Sequence, residues 1–416
     1  MDNQKKKGEM KMKTKKIKAS VSALVLGVLS PLAMVVPASA ATITWNGSTD
    51  DMWIDSSNWD GGFPPSTTDT AEFTTDTPNA LTVNIQGTAQ SLAKIVFNGE
   101  VSSTSSRSYS IVGKGLNLSS GIDAIMTGSG GDHSVGVGVT LTGNAVFKTT
   151  GSNTLSIGAE DETLDLGSND LTLDASGGTI TLLGKVAGTG KIIKSGTGKV
   201  KLMSTPDAGY AGSIDVTSGE FNVSTTSFGS GNVTISGGTL KGSGTVGDIT
   251  MSSGSIAPGN SPGCINSGDL VLTGGSYDVE IAGKTASSCE FDNLTVTGGV
   301  NLGSATTLNV SLINSYTPAV NDSFAIILND SNDAVQGTFK GLDDGDKFTL
   351  GSYTYQINYD AGDGNDVVLL VTGTPSAPDT GTGSLISNPF VTLFAALSVA
   401  GSVAGYRYYE IKKARR

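Results

Sequence analysis

Ile214-Asp-Val216-Thr-Ser-Gly219-Glu-Phe221 is followed by Val233-Thr-Ile235-Ser-Gly-Gly238-Thr-Leu240, Ile249-Thr-Met251-Ser-Ser-Gly254-Ser-Ile256 and Leu270-Val-Leu272-Thr-Gly-Gly275-Ser-Tyr277. A looser copy, Leu294-Thr-Val296-Thr-Gly-Gly299-Val300, closes the series. Each copy reads apolar, any, apolar, a small polar pair, glycine, any, apolar, and the glycines recur at spacings of 19, 16, 21 and 24. Alternation with a period of two marks a strand with one buried face. One such unit cannot bury that face alone, so the units must stack on one another. Glycine fits the corner, where a Cβ would crowd the next rung. The expected architecture is all-β, a parallel β-helix (solenoid) over residues 80–304. At about 20 residues per rung and ~4.8 Å between strands, it makes a rod of roughly 60 Å. A β-sandwich also has short strands and frequent turns. The uneven spacing suits it, but the recurring octapeptide favours stacked rungs.

Working outward, the texture changes after residue 305. Leu308-Asn-Val310-Ser-Leu312 and Phe324-Ala-Ile326-Ile-Leu328 are longer and more apolar, and Phe339, Phe348, Tyr353, Tyr355 and Tyr359 raise the aromatic density. Residues 305–371 therefore read as a C-terminal β cap, which a solenoid needs because its last rung exposes a pairing edge. At the other end, residues 41–79 carry Trp45, Trp53 and Trp59. Tryptophans can stack on sugars, but an N-terminal cap covering the first rung is the expected role here.

The chain's two ends read as addresses. Eight lysines precede an apolar run over residues 21–36 and the small residues Pro37-Ala38-Ser39-Ala40. That order is a secretory signal over residues 1–40, with cleavage between Ala40 and Ala41. Residues 372–387 form a Pro/Gly/Thr/Ser linker, and an apolar span over 388–407 precedes a basic tail, 408–416. The span, taken with its weakly polar flank, is long enough for about 30 Å of hydrocarbon. Positive charge beyond it holds that end in the cytoplasm and leaves the body outside.

Charge narrows the partners. The chain has 26 basic and 38 acidic residues, but residues 41–380 keep only 13 basic against 35 acidic, a net −22. Such a body repels nucleic acid, and its contact with membrane is expected only through the C-terminal helix. Arg107 and His133 are its only arginine and histidine, a poor stock for catalysis; His133 reads as a loop residue without a second histidine to share a metal. Cys264 and Cys289 are expected to pair outside the cell. Asp343-Asp344-Gly345-Asp346 reads as a solvated acidic turn, and Glu160-Asp161-Glu162 could serve a hydrolase or lyase, a role nothing else in the sequence supports. No cofactor and no bound metal are expected.

Several segments resemble a known family. Gly188-Thr-Gly190-Lys-Ile-Ile-Lys194-Ser-Gly196-Thr-Gly198, continuing to Tyr210-Ala-Gly212-Ser-Ile-Asp-Val216, resembles the autotransporter-associated β-strand repeat. Leu240-Lys-Gly242-Ser-Gly244-Thr-Val246 and Ala257-Pro258-Gly259-Asn260-Ser261-Pro262-Gly263 look like the stretch that follows it. Tyr359-Asp-Ala-Gly362-Asp363-Gly364-Asn365-Asp366-Val367-Val368-Leu369 is similar to the motif ending such passenger regions; its part from Ala361 to Leu369 also fits one calcium-binding nonapeptide, with Ala361 at the first glycine, where a turn feeding the last strand is the expected role. Trp45-Asn46-Gly47, Trp53, Asn58-Trp59 and Asp69-Thr-Ala71-Glu-Phe73 look like the opening of these surface proteins. The resemblance implies a right-handed parallel β-helix displayed on a cell. The membrane barrel that ends autotransporters has no counterpart after Leu370. Instead Ala377-Pro378-Asp379-Thr380-Gly381 resembles a sortase cell-wall sorting signal, with Ala377 where leucine is usual. That resemblance implies sortase attack at the Thr380 carbonyl, release of Gly381 onward and transfer to peptidoglycan.

The expected function is a non-catalytic, surface-anchored β-helical protein with an adhesive or structural role and an unidentified surface or glycan ligand. The rival from another class is an extracellular polysaccharide-active enzyme, a lyase or hydrolase. A lyase needs a cationic base beside its acidic substrate, which this body is poorly equipped to supply.

Overall fold

The structure is a computed structural model and describes residues 40–74, 81–100, 108–127, 131–203, 210–224, 228, 231–330 and 333–374. Strands dominate, and the helical elements among the described residues are the 3-10 turns Ser56–Asn58 and Ala286–Ser288. Twenty-four strands form one parallel sheet and six more form a second. This is the large parallel array that a stacked β-solenoid requires.

The ladders run along three faces. On the first face Ile214, Val233, Ile249, Leu270 and Val300 lie in register. On the second, Phe221, Leu240, Ile256, Tyr277 and Leu308 do the same. Successive partners there lie between 16 residues (Thr239 to Ser255) and 31 residues (Ser276 to Thr307) apart. The third face starts with strand segments at Gln90, Leu116, Val139 and Leu164. It ends in Cys264–Ser267, Asn293–Val296 and Ser323–Asn329, which belong to the six-stranded sheet. Alternate residues of each strand point inward and form one continuous apolar column, from Ile43 to Val371.

Glycine makes the corner between the first and second faces. Gly254 has φ +89°, and a Cβ there would stand 2.2 Å from the carbonyl oxygen of Gly238. Gly275 repeats the geometry one rung on, at 2.4 Å from the carbonyl oxygen of Gly254. A side chain at either place would meet backbone that the rung spacing fixes.

Four octapeptides occupy this corner in the same way, but the fifth does not. Leu294 and Val296 sit on the third face, paired with Ile265 and Ser267, and Val300 sits on the first. The fifth copy is therefore displaced by one face. Strand-like residue order is local, whereas the face a strand occupies depends on how much chain the preceding loop consumes.

Residue 305 is not a change of sheet. The strand Thr307–Leu312 extends the second face in register with Ser276–Ile281. The second sheet, by contrast, already begins at Cys264–Ser267, and it continues through Ser323–Asn329 into the antiparallel strands Asp366–Gly373, Tyr353–Ala361 and Lys347–Leu350. The two sheets share one core: the Tyr277 hydroxyl donates to the carbonyl of Ile326 at 2.7 Å, and its ring stacks on Phe339.

At the N-terminal end Trp45, Trp53 and Trp59 are all buried and packed edge to face, with ring centroids 5.0 and 4.8 Å apart for the Trp45–Trp59 and Trp53–Trp59 pairs. Trp59 Nε1 donates to the carbonyl of Trp53 at 2.7 Å. Phe73 of the next rung packs beneath all three.

Candidate functional site

A surface groove opens where the second face splits. Ser255 and Ile256 are paired with Ser276 and Tyr277, but the chain then turns away at Pro258, and farther along that side Asp292 and Phe291 bond to Glu280 and Ile281 instead. The groove so formed holds about 560 Å³ and is lined by Glu220, Lys241, Ser261, Asp278, Glu280 and Asp292, among others. Asp292 closes the split from below. Its Oδ1 accepts from the Gly263 N–H at 2.7 Å and its Oδ2 from the Glu280 N–H at 2.9 Å. Burial pushes its pKa up to about 7, against the downward pull of those two hydrogen bonds. Ser261 donates to the Glu280 carboxylate at 2.6 Å, and Asn309 donates to Asp278 at 2.7 Å. With Lys241 the one cation of the lining, the groove is acidic and disfavours anionic ligands.

A smaller cleft of about 350 Å³ lies over the first rungs of the third face, lined by Asn117, Thr140, Asp161, Glu162 and Asp165. The acidic run at Glu160 thus forms part of its wall.

Lys194 stands at an inward position of the first face, between Leu173 and Val216. It is fully buried, and its Nζ donates to the carbonyls of Ser195 and Gly196 at 2.7 Å and of Ser218 at 2.9 Å. An internal ammonium thus ties the corner carbonyls of two rungs. Burial lowers its pKa to about 8, although Asp174 and Glu220 pull it up. The inward phase was available from the alternation of Ile192, Ile193 and Lys194; the carbonyl cage was not.

His133 is not a loop residue. It lies in the strand His133–Val135, buried and stacked 4.6 Å from Phe97, with Nδ1 accepting from the Tyr109 N–H at 3.1 Å. Burial depresses its pKa to about 4, against the raising effect of Asp132. A histidine flanked by small polar residues resembles a loop in composition, and only the register with Leu155 puts it inside.

The tryptophans lie beneath the surface and offer no ring face to a sugar. Asp343 and Asp346 close their own turn, with the Asp343 N–H donating to Asp346 at 2.8 Å. Asp366 accepts from the Asn329 N–H at 3.0 Å and so fixes the last turn to the second sheet. Among the described residues no cluster of three or more His, Cys, Asp or Glu side chains is placed to hold a metal ion.

Cys264 and Cys289 are bonded to each other, with Cα atoms 5.7 Å apart. The bond ties the Ala286–Ser288 turn to the first strand of the second sheet. Ala40 and Ala41 are exposed at the start of the described fold. The Ala41 N–H donates to Asp69 Oδ1 at 3.0 Å. Burial raises the Asp69 pKa, but the Ser66 side chain and the Ala41 and Ser66 N–H groups outweigh it, and the net direction is down. Ala377, Pro378, Asp379, Thr380 and Gly381 lie outside the described residues, as do the 388–407 span and the basic tail. Among the described residues no helix is long and apolar enough to cross a membrane.

No protein-family model matches the chain, and no curated protein does either.

Proposed function

We propose that the chain is an exported, non-catalytic, right-handed β-helical protein, anchored at a cell wall or membrane and serving an adhesive or structural role. The observation that carries the reading is the order of the segments: a basic-apolar-small leader, a long stack of rungs, a Pro/Thr/Gly linker with Ala377-Pro378-Asp379-Thr380-Gly381, an apolar span and a basic tail. Ala41 supports the leader's boundary. Cleavage after Ala40 turns its nitrogen into an ammonium facing the Asp69 carboxylate, a charge-assisted contact where an amide N–H now donates. In the anchoring step a sortase cysteine attacks the Thr380 carbonyl carbon, the Thr380–Gly381 bond breaks, and a peptidoglycan amine then takes the acyl group. The rod's length presents the repeating outer face away from the anchor.

Mass spectrometry of protein released from cell walls tests this reading. The expected product begins at Ala41 and ends at Thr380 carrying a peptidoglycan fragment; a chain running intact to Arg416 overturns sorting.

A second reading, a polysaccharide-active enzyme, draws on the acidic groove with its raised Asp292 carboxyl. Both Asp292 oxygens already accept backbone N–H groups, which suits a group that holds the split sheet together better than a proton shuttle. Turnover of neutral or acidic glycans that disappears in Asp292→Asn, with the fold intact, would favour the enzyme.

A further inference from the structure

Three ladders reach the C-terminal end of the stack, and two of them are closed there. On the first face, Gln336 covers Val300–Asn301: the Gln336 N–H donates to the Val300 carbonyl at 2.9 Å, and the Leu302 N–H to the Gln336 carbonyl at 2.8 Å. On the third, Ser323–Asn329 pairs antiparallel with Asp366–Gly373. The second face ends differently. Lys340 donates to the Thr306 carbonyl at 2.8 Å, and the chain then turns away at Gly341. Among the described residues Thr307–Leu312 has no strand partner besides Ser276–Ile281.

The register says which groups are left over. The Thr307 N–H donates to the Gly275 carbonyl and the Ile313 N–H to the Ile281 carbonyl. In a parallel ladder every second residue faces the same neighbour, so 307, 309, 311 and 313 serve the existing strand. The N–H and C=O groups of Leu308, Val310 and Leu312 point to the open edge. Their side chains are half-buried against the core, and the segment carries no charge, proline or bulge. Those are the devices by which proteins commonly protect an edge.

The sequence of the edge points to its occupant. Leu308-Asn309-Val310-Ser311-Leu312 is nearly palindromic about Val310: apolar, polar, apolar, polar, apolar, with leucine at both ends. An isologous contact demands such self-complementarity. Centred on Val310, antiparallel pairing sets Leu308 opposite Leu312, Val310 opposite Val310 and Asn309 opposite Ser311. The first two kinds of pair are the hydrogen-bonded ones, and they use the unpaired groups of all three residues, about six bonds in total. The strip is also uncharged in a body of net −22, so copies that repel elsewhere meet here without opposed charges on the strand itself.

We propose that the edge strand Thr307–Leu312 is a docking site for a second copy of this chain, joined antiparallel about a twofold axis at Val310. The inference is independent of the surface address and of the anchor. Because Asp278 and Glu280 flank the strip, the copies still repel at longer range, and added salt strengthens the dimer by screening.

The test is sedimentation velocity of the full chain in detergent, comparing the wild type with Val310→Pro and Ser311→Glu. Proline at 310 removes an outward N–H that the native ladder does not use, and edge strands tolerate it there. Glutamate at 311 places added negative charges beside the axis. Both variants are expected to dimerise at least ~tenfold more weakly, with unchanged circular dichroism. A photo-crosslinker at Asn309 is expected to capture Ser311 of the second copy. A wild type that stays monomeric at high salt overturns the proposal. So does a dimer that persists in both variants, or a crosslink that falls outside the strand.

Discussion

The two ends of the rod solve the same problem differently. At the N-terminal end the outer edge of Thr42–Trp45 is sealed by its own chain: the Asp60 N–H donates to the Thr44 carbonyl at 2.9 Å and the Asn46 N–H to the Asn58 carbonyl at 2.8 Å. Three buried tryptophans then cover the first rung. At the C-terminal end the chain closes the first and third faces and swings off the second. Sealing thus depends less on adding an apolar cap than on where the covering segment runs. The second sheet supplies ample apolar surface, yet its strands do not lie along Thr307–Leu312.

The comparison is broken most severely by removing the N-terminal plug. Trp59→Ala deletes a buried ring that touches Trp45, Trp53 and Phe73. It is expected to cost about 4 kcal/mol in chemical denaturation, with hydrogen exchange rising first in the leading rungs. At the other end, replacing Cys264 and Cys289 by serine opens a loop with a sequence separation of 25. The expected loss is about 3 kcal/mol on the chain-entropy account, with exchange rising in the second sheet and not near Trp59.

Acid and base sharpen the contrast, because each end holds a buried titratable group of opposite sign. His133 has its folded pKa lowered to about 4. The unfolded chain therefore binds its proton first, and the stability from this residue, full above about 6.5, is lost as pH falls through 4, a loss of about 3 kcal/mol. Asp292 runs the other way. Its folded pKa is raised to about 7, so its contribution is full below the ordinary carboxylate range and is lost as pH rises through 7. Denaturation measured between pH 4 and 8 is expected to show the acid-side decline flattened in His133→Phe and the alkaline-side decline flattened in Asp292→Asn. Unchanged pH profiles would exclude both groups as the source. The smallest effect belongs to the open edge: Ser311→Glu is expected to move monomer stability by less than about 0.5 kcal/mol, since Ser311 is exposed.

Much of this was legible in advance. Period-two alternation gave the strands, and the glycine positions gave the corner, because only a residue without Cβ fits beneath the preceding rung's carbonyl. Composition misplaced His133, whose neighbours Asp132 and Ser134 suit a loop. The repeat pattern also misled at Leu294-Thr-Val296, where a good local match sits on another face. The groove was not foreseen, because Asp292 belongs to no motif. It becomes notable only when Pro258 leads one strand away and two backbone N–H groups from distant segments converge on its carboxylate.

The sequence by itself determined the all-β class, the stacking unit, the corner glycines and the acidic character of the body, since each rests on side-chain period, backbone freedom or charge. Tertiary structure alone decided the carbonyl cage around Lys194, where the sheet splits over Asp292, and which edge stays open. These depend on loop lengths that set the face each strand joins, and on hydrogen-bond partners tens of residues away, neither of which leaves a local trace in the order of amino acids.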